Sequence, residues 1–359
     1  MRACILAVLI GCSTSATPLM SPLHGKTAWP IEVPLAGMLG RYAASVDIGG
    51  ESFGLAVDTG STLLAVAGAD CKPCGSDGST AFYEPRRTAK HLPGQIDYLY
   101  DQGEVGWTGS AYVDRVSIDG VGTQIPVFAM SNESGVVAVA DVMHADGILG
   151  MAPGDGSWVD AMVRTGMPRE FAIHKCETTG TLWLGGAPAG SATWVSATPD
   201  YAVAWNAIDI GSAHIELPTT DDGAKLPARA FVDSGAAGLV VPQATYDAIV
   251  AELDRDTFFS GWFGSAATWF TSGCVSSPLR KALDRLPPIT IELDGLTLTI
   301  PATQSYAIPW GDDKVCPELV VRDNYVAIGD VAMRSNTVIF EPGELRIGFA
   351  PATACNDAN

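Results

Sequence analysis

Short runs of β-branched and aromatic residues, separated by glycine, proline and other turn residues, recur along almost the whole chain. Such runs cover 43–48, 53–57, 111–118, 182–184, 203–210, 289–293 and 337–340. Short strands bounded by turn residues are typical of all-β proteins. Apolar residues at helical spacing occur at 157–164 and 242–253, the second with proline as its first residue. The pattern predicts an all-β protein with few, short helices.

One pair of sequence signals appears twice, in the same order. An Asp-Thr-Gly triplet begins at Asp58, and an Ile-Leu-Gly element ends at Gly150, 92 positions further on. An Asp-Ser-Gly triplet begins at Asp233, and an Ala-Ile-Gly element ends at Gly329, 96 positions further on. Two motifs in the same order at nearly the same offset indicate a duplicated lobe.

Both triplets follow an apolar run, so each predicted strand delivers a carboxylate to a largely buried place. An isolated charge there costs several kcal/mol or more. Because the chain does this twice, we expect the carboxyl groups of Asp58 and Asp233 to meet and to hold one proton between them. Such a pair can activate a water molecule to attack a carbonyl group.

With these motifs, with Leu184-Gly185-Gly186 and with the apolar segments at its end, the chain resembles the pepsin-like aspartic peptidases over residues 31 to 355. The resemblance implies a bilobal all-β fold, in which two related β-barrel-like lobes are joined by a central antiparallel sheet. Residues 31–195 would form the N-terminal lobe, with the first aspartate and the flap. Residues 196–359 would form the C-terminal lobe, with the second aspartate.

The resemblance also implies an activity. The protein would be an aspartic endopeptidase that hydrolyses peptide bonds in proteins or peptides with a water molecule activated by Asp58 and Asp233. It would need no metal, no cofactor and no covalent intermediate, and we expect a monomer. The alternative is a catalytically silent pepsin-like protein that acts as a binding or inhibitor-like module.

Five further residues would support the two aspartates: Thr59, Gly60, Ser61, Ser234 and Gly235. In the family the threonine and serine hydroxyls of the triplets brace the two loops against each other. The glycines let backbone amides approach the carboxylates. Ser61 is placed to form a hydrogen bond with Asp58.

The position three residues after each aspartate differs between the two loops. It is Ser61 in the first loop and Ala236 in the second, where many relatives have threonine. A donated hydrogen bond favours the ionised form of a carboxylate. We therefore expect Asp58 to be the ionised partner and Asp233 to hold the shared proton. Ala236→Thr should then move the alkaline limb of the kcat/KM profile to lower pH.

The hairpin after residue 90 should form the flap over the cleft. The family pattern Tyr-x-x-Gly is best matched by Tyr100 and Gly103, and Tyr98 is the alternative. The family usually has a tryptophan seven residues beyond the first aspartate, but this chain has Ala65 there. Trp107, on the flap, is a candidate substitute.

Eight cysteines lie in the chain, and six of them follow the N-terminal segment, at 71, 74, 176, 274, 316 and 355. An even number in an exported protein implies disulfides, and six cysteines allow 15 pairings. The family resemblance implies the pairs Cys71–Cys74, Cys176–Cys355 and Cys274–Cys316.

The N-terminal segment reads as an export signal. One positive charge and a short apolar core occupy residues 1–12, and Leu9-Ile10-Gly11-Cys12 resembles a bacterial lipoprotein signal. Cys12 would then carry an acyl anchor that tethers the protein outside the cytoplasmic membrane or in the outer membrane, with residues 13–30 as a spacer. The alternative is an ordinary signal cut near Ala16, which would give a secreted protein.

Charge and motifs exclude other classes of function. The formal net charge of −19 argues against nucleic acid as a partner, because its binding needs a basic footprint. Beyond the N-terminus no run of 18 apolar residues predicts a membrane span. The five histidines form no metal-binding pattern, and no Gly-x-Ser-x-Gly or phosphate-binding glycine motif with a suitable context is found.

Overall fold

The computed structural model describes residues 28–38, 41–72, 74, 81–100, 105–134, 145–188, 190–217, 229–276, 280–310, 313–323, 325–352 and 355. Within them the chain forms 24 strands and seven short helices. The protein is thus all-β, as its sequence predicts. The predicted signal segment 1–12, most of the spacer, Gly103 and the last four residues lie outside the described residues.

Ten strands precede residue 185: β1 (Ile31–Met38), β2 (Arg41–Ile48), β3 (Glu51–Asp58), β4 (Leu64–Ala67), β5 (Lys90–Tyr100), β6 (Val105–Ile118), β7 (Val121–Ser134), β8 (Gly147–Gly150), β9 (Phe171–Lys175) and β10 (Thr179–Leu184). Fourteen follow: β11 (Thr193–Ser196), β12 (Ala202–Ile210), β13 (Ala213–Glu216), β14 (Arg229–Val232), β15 (Leu239–Val241), β16 (Val275–Ser276), β17 (Ile289–Leu293), β18 (Leu296–Ile300), β19 (Ala307–Trp310), β20 (Lys314–Pro317), β21 (Leu319–Val321), β22 (Ala327–Ile328), β23 (Asn336–Glu341) and β24 (Arg346–Pro351). Every strand segment predicted from the sequence lies within one of them.

The helices are α1 (Trp158–Arg164), α2 (Gln243–Arg255), α3 (Thr257–Phe263), α4 (Ala266–Ser272), α5 (Arg280–Leu283), α6 (Ala302–Ser305) and α7 (Val331–Ser335). Both predicted helices are present. Pro242 is the N-cap of α2 and not its first residue. Helices α3 and α4 were not predicted from the sequence. Their stability comes from a local aromatic cluster, in which Trp269 lies 5.3 Å from Phe259 and 5.0 Å from Phe263 between ring centroids.

A 13-stranded sheet joins the two ends of the chain, in the order β11-β24-β23-β9-β10-β1-β2-β3-β8-β4-β7-β6-β5. Its first six strands are antiparallel and combine the last two strands of the chain with strands that precede residue 200. Phe171 of β9 stacks on Phe340 of β23 at 4.8 Å between ring centroids. This part is the central sheet of the bilobal fold.

The C-terminal half forms an eight-stranded sheet, in which β13 adds to the order β18-β17-β12-β14-β22-β15-β21. A separate three-stranded sheet has the order β16-β20-β19. The predicted lobe boundary between residues 195 and 196 falls inside β11, which pairs with β24. The boundary stays a prediction. No helix of the described ranges has the length and apolarity that a membrane crossing needs.

The duplication read from the sequence is visible in the strand pairing. In the first half β3 runs parallel to β8, which is antiparallel to β4, and β4 is parallel to β7. In the second half β14 runs parallel to β22, which is antiparallel to β15, and β15 is parallel to β21. The same four-strand arrangement therefore surrounds each aspartate loop.

Candidate active site

Each aspartate stands at the end of a strand whose apolar side chains are buried. In β3, Phe53, Leu55 and Val57 alternate as buried residues, and Asp58 is the last residue of the strand. Asp233 directly follows β14, and its backbone amide donates to the carbonyl of Ile328 at 3.1 Å. Burial of the alternate residues fixes both strand ends, and therefore the start of both loops.

The Ile-Leu-Gly and Ala-Ile-Gly elements pass directly beneath these loops. A Cβ atom added to Gly150 would lie 2.5 Å from the carbonyl oxygen of Leu63. One added to Gly329 would lie 2.1 Å from the carbonyl oxygen of Gly238. Only glycine lets the supporting strands come this close, which explains why each element ends in glycine.

The two loops bring the carboxyl groups of Asp58 and Asp233 within hydrogen-bond distance of each other. The backbone amide of Gly60 donates to Asp58 Oδ1, and that of Gly235 donates to Asp233 Oδ1, both at 2.8 Å. A Cβ atom on Gly60 would lie 2.6 Å from Asp233 Oδ2, and one on Gly235 2.5 Å from Asp58 Oδ1. Each glycine is therefore needed to make room for the carboxyl group of the opposite loop.

Buried hydroxyl groups lock the loops together in a reciprocal pattern. The Thr59 hydroxyl donates to the carbonyl of Val232 at 2.8 Å, and the Ser234 hydroxyl donates to the carbonyl of Val57 at 2.7 Å. Each hydroxyl also accepts a hydrogen bond from the backbone amide of the other residue, at 2.9 and 2.8 Å. These four bonds join segments about 175 positions apart and make one rigid unit of the two loops.

The Oδ2 atom of each carboxyl group also receives one hydroxyl donor, but the two donors come from different kinds of position. The Ser61 hydroxyl donates to Asp58 Oδ2. The hydroxyl of Tyr325 donates to Asp233 Oδ2 at 2.5 Å. Ala236 has no hydroxyl, so the second donor comes from a tyrosine 92 positions away. Tyr325 was not predicted from the sequence, where its only signal is its place two residues before the Ala-Ile-Gly element.

Burial and charge act on the pKa of one member of the pair. Burial, followed by the negative charge of Asp233, raises the pKa of Asp58 to about 8, although Ser61 and Gly60 donate hydrogen bonds that lower it. Desolvation and a like charge together outweigh these donors. The raised pKa of Asp58 favours Asp58 as the partner that holds the proton. The expectation that Asp233 holds it rested on a missing donor, which Tyr325 supplies, and the choice between the two partners stays a prediction.

The flap is the hairpin of β5 and β6. Tyr98 of β5 stacks on its cross-strand partner Trp107, with ring centroids 5.4 Å apart and planes 10° apart. Burial, followed by the negative charge of Asp58, raises the pKa of Tyr98, so this phenol lies within the field of the dyad. Tyr100, the preferred candidate for the flap tyrosine, pairs with Val105 through its backbone. Its side chain lies outside the described part of the structure.

A small buried cluster supports the flap and contains the position where the family has its usual tryptophan. Ala65 and Trp107 belong to this cluster, and Trp107 lies 5.8 Å from Phe128 between ring centroids. Phe128 is the partner of Ala65 in the pairing of β4 with β7. The indole of Trp107, from the flap, thus packs into the same cluster as the small side chain of Ala65.

A buried lysine lies behind the second loop and was not singled out from the sequence. The Lys175 ammonium donates to the carbonyl of Ser234 at 2.7 Å and lies 4.8 Å from the ring centroid of Tyr42. The side chain is fully buried, and this burial lowers its pKa to about 8. Lys175 ends β9, so it ties the central sheet to the backbone next to Asp233.

Further buried charges accompany Lys175. Arg334 of α7 donates to Glu318 at 2.7 Å and to Asp330 at 2.5 Å. Asp330 also accepts from the backbone amide of Gly238 at 3.1 Å. Burial raises the pKa of Glu318 to about 7, although the neighbouring Arg334 opposes this rise. Paired charges of both signs therefore support the second loop from below.

Two groups of side chains in the described ranges have metal-ligand spacing. One contains His174, but its other two members are Cys176 and Cys355, whose sulfur atoms are joined in a disulfide. The second, Asp209, His214 and Glu292, lies on strands β12, β13 and β17 and not on the aspartate loops. The geometry at the dyad therefore consists of carboxyl, hydroxyl and amide groups.

The structure contains the disulfides Cys71–Cys74, Cys176–Cys355 and Cys274–Cys316. Cys176 follows β9, and Cys355 follows β24 near the end of the chain. These two strands flank β23 in the central sheet. This bond therefore ties the end of the chain across the central sheet. Cys12 lies outside the described residues, and its lipidation stays a prediction.

Comparison with known proteins agrees with this geometry. The profile of the family described as eukaryotic aspartyl protease matches residues 41–352. The chain is 22% identical to pepsin A of Gallus gallus over 86% of this chain and 84% of that protein. It is 24% identical to an aspartic protease of Phaffia rhodozyma over 91% of this chain and 80% of that protein.

A third relative is penicillopepsin-1 of Penicillium janthinellum, at 21% identity over 87% of this chain and 95% of that protein. The chain thus spans most of the length of each relative. The family profile covers both aspartate loops, the hydroxyl lock between them and five of the six strands of the central sheet. The chain therefore belongs to the eukaryotic aspartyl protease family and resembles pepsin.

Proposed function

We propose that the protein is an aspartic endopeptidase that cleaves peptide bonds in proteins or peptides. The observation that carries this proposal is the matched environment of two carboxyl groups that share a hydrogen bond. Each has one amide donor on its Oδ1 atom and one hydroxyl donor on its Oδ2 atom. Rigid donors around a single shared proton are what acid–base activation of water requires.

The two aspartates take complementary roles in the first step. A substrate peptide bond lies beside a water molecule held between the carboxyl groups. Asp233, which is ionised, accepts a proton from the water as its oxygen attacks the carbonyl carbon. Asp58, which is protonated, donates its proton to the carbonyl oxygen. The product is a gem-diol, and the pair has exchanged its protonation states.

The second step returns the pair to its starting state. Asp233 donates its new proton to the amide nitrogen, and the C–N bond breaks. Asp58 takes a proton from one hydroxyl of the gem-diol, which becomes a carboxylic acid. The amine and acid products then leave. The hydroxyl lock of Thr59 and Ser234 supports this exchange, because it fixes the distance between the two carboxyl groups.

The rival hypothesis is a catalytically silent pepsin-like protein. It requires that one carboxyl group be missing, displaced or deprived of its donors. Both aspartates are present and have equivalent donors, which favours the enzyme. The decisive test is cleavage of a denatured protein at pH 3 to 7, with and without pepstatin, and with Asp58→Asn as the control. Absence of any pepstatin-sensitive cleavage by the wild type would overturn the proposal.

We propose that the protein works outside the cytoplasm. Three disulfides support this location, because structural disulfides persist in oxidising compartments. We also propose that an acyl group on Cys12 anchors the protein to a membrane and that the protein is a monomer. If Cys12 is acylated, the wild type partitions into detergent and Cys12→Ala does not. Equal partitioning of the two proteins would argue against an anchor.

A further inference from the structure

Tyr325 makes the hydrogen bond to Asp233 that Ser61 makes to Asp58. Ser61 donates to the Oδ2 atom of Asp58, and Tyr325 donates to the Oδ2 atom of Asp233. The Oδ1 atoms accept from the glycine amides of their own loops. The two donor sets are therefore equivalent in chemistry, although one of the four donors comes from a distant part of the chain.

We propose that Tyr325 is a positioning residue for Asp233 that replaces the hydroxyl missing at Ala236. This inference rests on the proposed peptidase function and goes beyond it, because it assigns an acid–base role to a residue outside the two family triplets. The residue at the loop position is small and apolar, so the loop itself offers Asp233 Oδ2 no hydroxyl. The donor must come from another element.

The surroundings of Tyr325 hold its ring in place. The ring stacks on Phe231 of β14, with centroids 5.2 Å apart and planes 16° apart. Phe231 is fixed in turn, because its amide donates to the carbonyl of Val326 at 2.9 Å and it pairs with Ala327 of β22. The strand that ends at Asp233 and the strand that follows Tyr325 are thus hydrogen-bonded neighbours. Tyr325 is therefore positioned by the same strand pair that positions the carboxyl group.

The role has a specific consequence for pH dependence. In the mechanism proposed above, the singly ionised dyad has its charge on Asp233 and its proton on Asp58. A hydroxyl bonded to Asp233 stabilises this state relative to the uncharged dyad, so it lowers the first apparent pKa of the pair. Ser61 instead stabilises the charge that appears on Asp58 in the second ionisation. Tyr325 should therefore control the acid limb of the kcat/KM profile, and Ser61 the alkaline limb.

Other titratable groups face the dyad, and they are the same in the wild type and in the variants at Tyr325 and Ser61. The Lys175 ammonium lies within the field of Asp233, and the Tyr98 phenol lies within the field of Asp58. Neither is altered by a substitution at Tyr325 or Ser61. The contrast between the two limbs therefore isolates the two hydroxyl donors.

The test is the pH profile of kcat/KM for Tyr325→Phe, which removes the hydroxyl and keeps the stacking ring. We expect the acid limb to move to higher pH by about one unit, the value of one hydrogen bond to a charged group. The alkaline limb should stay in place. In Ser61→Ala, the matched control, the alkaline limb should move to higher pH and the acid limb should stay.

A second substitution tests whether the hydroxyl itself matters. In Tyr325→Phe combined with Ala236→Ser, the new serine stands at the position equivalent to Ser61 and should return the acid limb towards the wild-type pH. An acid limb that does not move in Tyr325→Phe, or a profile in which both limbs move equally, would overturn the role.

A measurement without turnover separates this inference from the proposed function. The carboxyl carbons of the dyad can be titrated by ¹³C NMR in the wild type and in Tyr325→Phe. A higher first apparent pKa in the variant supports the role of Tyr325 even if no peptide is cleaved. An unchanged titration, together with pepstatin-sensitive cleavage by the wild type, would reject the role and leave the peptidase function intact.

Discussion

The two aspartate loops are built on one plan but are completed by different means. In both, an aspartate stands at the end of a buried strand, and a glycine-ended element passes beneath the loop. The hydrogen bonds between Thr59 and Ser234 join the two loops. In the first loop the hydroxyl donor to Asp58 Oδ2 is Ser61, which belongs to the loop itself. The second takes its donor from Tyr325 and has the buried Lys175 ammonium behind it. Equivalent geometry can therefore be reached by local sequence in one loop and by tertiary contacts in the other.

The largest effect on activity is expected when the carboxyl group of either loop is removed. Asp58→Asn and Asp233→Asn should each lower kcat by at least about 100-fold, because each removes half of one acid–base device. The measurement is turnover of a denatured protein at the pH optimum of the wild type. Circular dichroism should show an unchanged fold. Turnover above about 1% of wild type in either variant would contradict the two-aspartate mechanism.

The second loop, unlike the first, should depend for its stability on a cation from a distant part of the chain, the Lys175 ammonium. Lys175→Met should lower the free energy of unfolding by about 3 kcal/mol, because the carbonyl of Ser234 loses its buried donor and the buried carboxylates nearby lose a positive charge. Denaturant unfolding measures this difference. The matched control is Lys281→Met, since Lys281 is exposed. Equal stabilities of the two variants would show that Lys175 does not support the loop.

The proton held by the first loop should make the protein more stable in acid than at neutral pH. Folding raises the pKa of Asp58 from 3.8 to about 8, and that of Glu318 from 4.5 to about 7. In these windows the folded state binds protons that the unfolded state has released, so stability falls as the pH rises. The Tm should drop by on the order of 5 °C or more between pH 4 and pH 8.

Two variants test which aspartate causes this fall of Tm with rising pH. The Tm should depend least on pH in Asp58→Asn. Asp233→Asn should leave part of this fall, because burial, the largest cause of the raised pKa of Asp58, remains. A Tm that rises with pH across this range would contradict the assignment of the shared proton.

The smallest effect is expected at the loop position that differs between the halves. Ala236→Thr alone should leave both limbs of the kcat/KM profile where they are, within about 0.3 pH unit, since Tyr325 already donates to Asp233 Oδ2. The sequence alone predicted a shift of the alkaline limb to lower pH. A clear shift of the acid limb to lower pH would mean that threonine adds a donor to Asp233 that Tyr325 does not supply.

Much of the fold could be predicted because its signals are local. The strand segments are short apolar runs, and the duplication appears as two triplets with two glycine-ended elements at similar offsets. The three cysteine pairs came from the family resemblance, and the structure contains the same pairs. The aromatic helices α3 and α4 were missed, because contacts among Phe259, Phe263 and Trp269 stabilise them and no seven-residue pattern reveals such contacts.

The sequence by itself determined that two aspartates would face each other, because the same strand-and-triplet pattern occurs twice, each time followed by a glycine-ended element at a similar offset. Only the tertiary structure shows the surroundings on which the place of the shared proton depends. That place depends on burial and on the charge of Asp233. The donor from Tyr325 and the ammonium of Lys175 lie 92 and 59 positions from their acceptors. Hydrogen bonds and charges act through space, so neighbours this distant in the chain become visible only once it has folded.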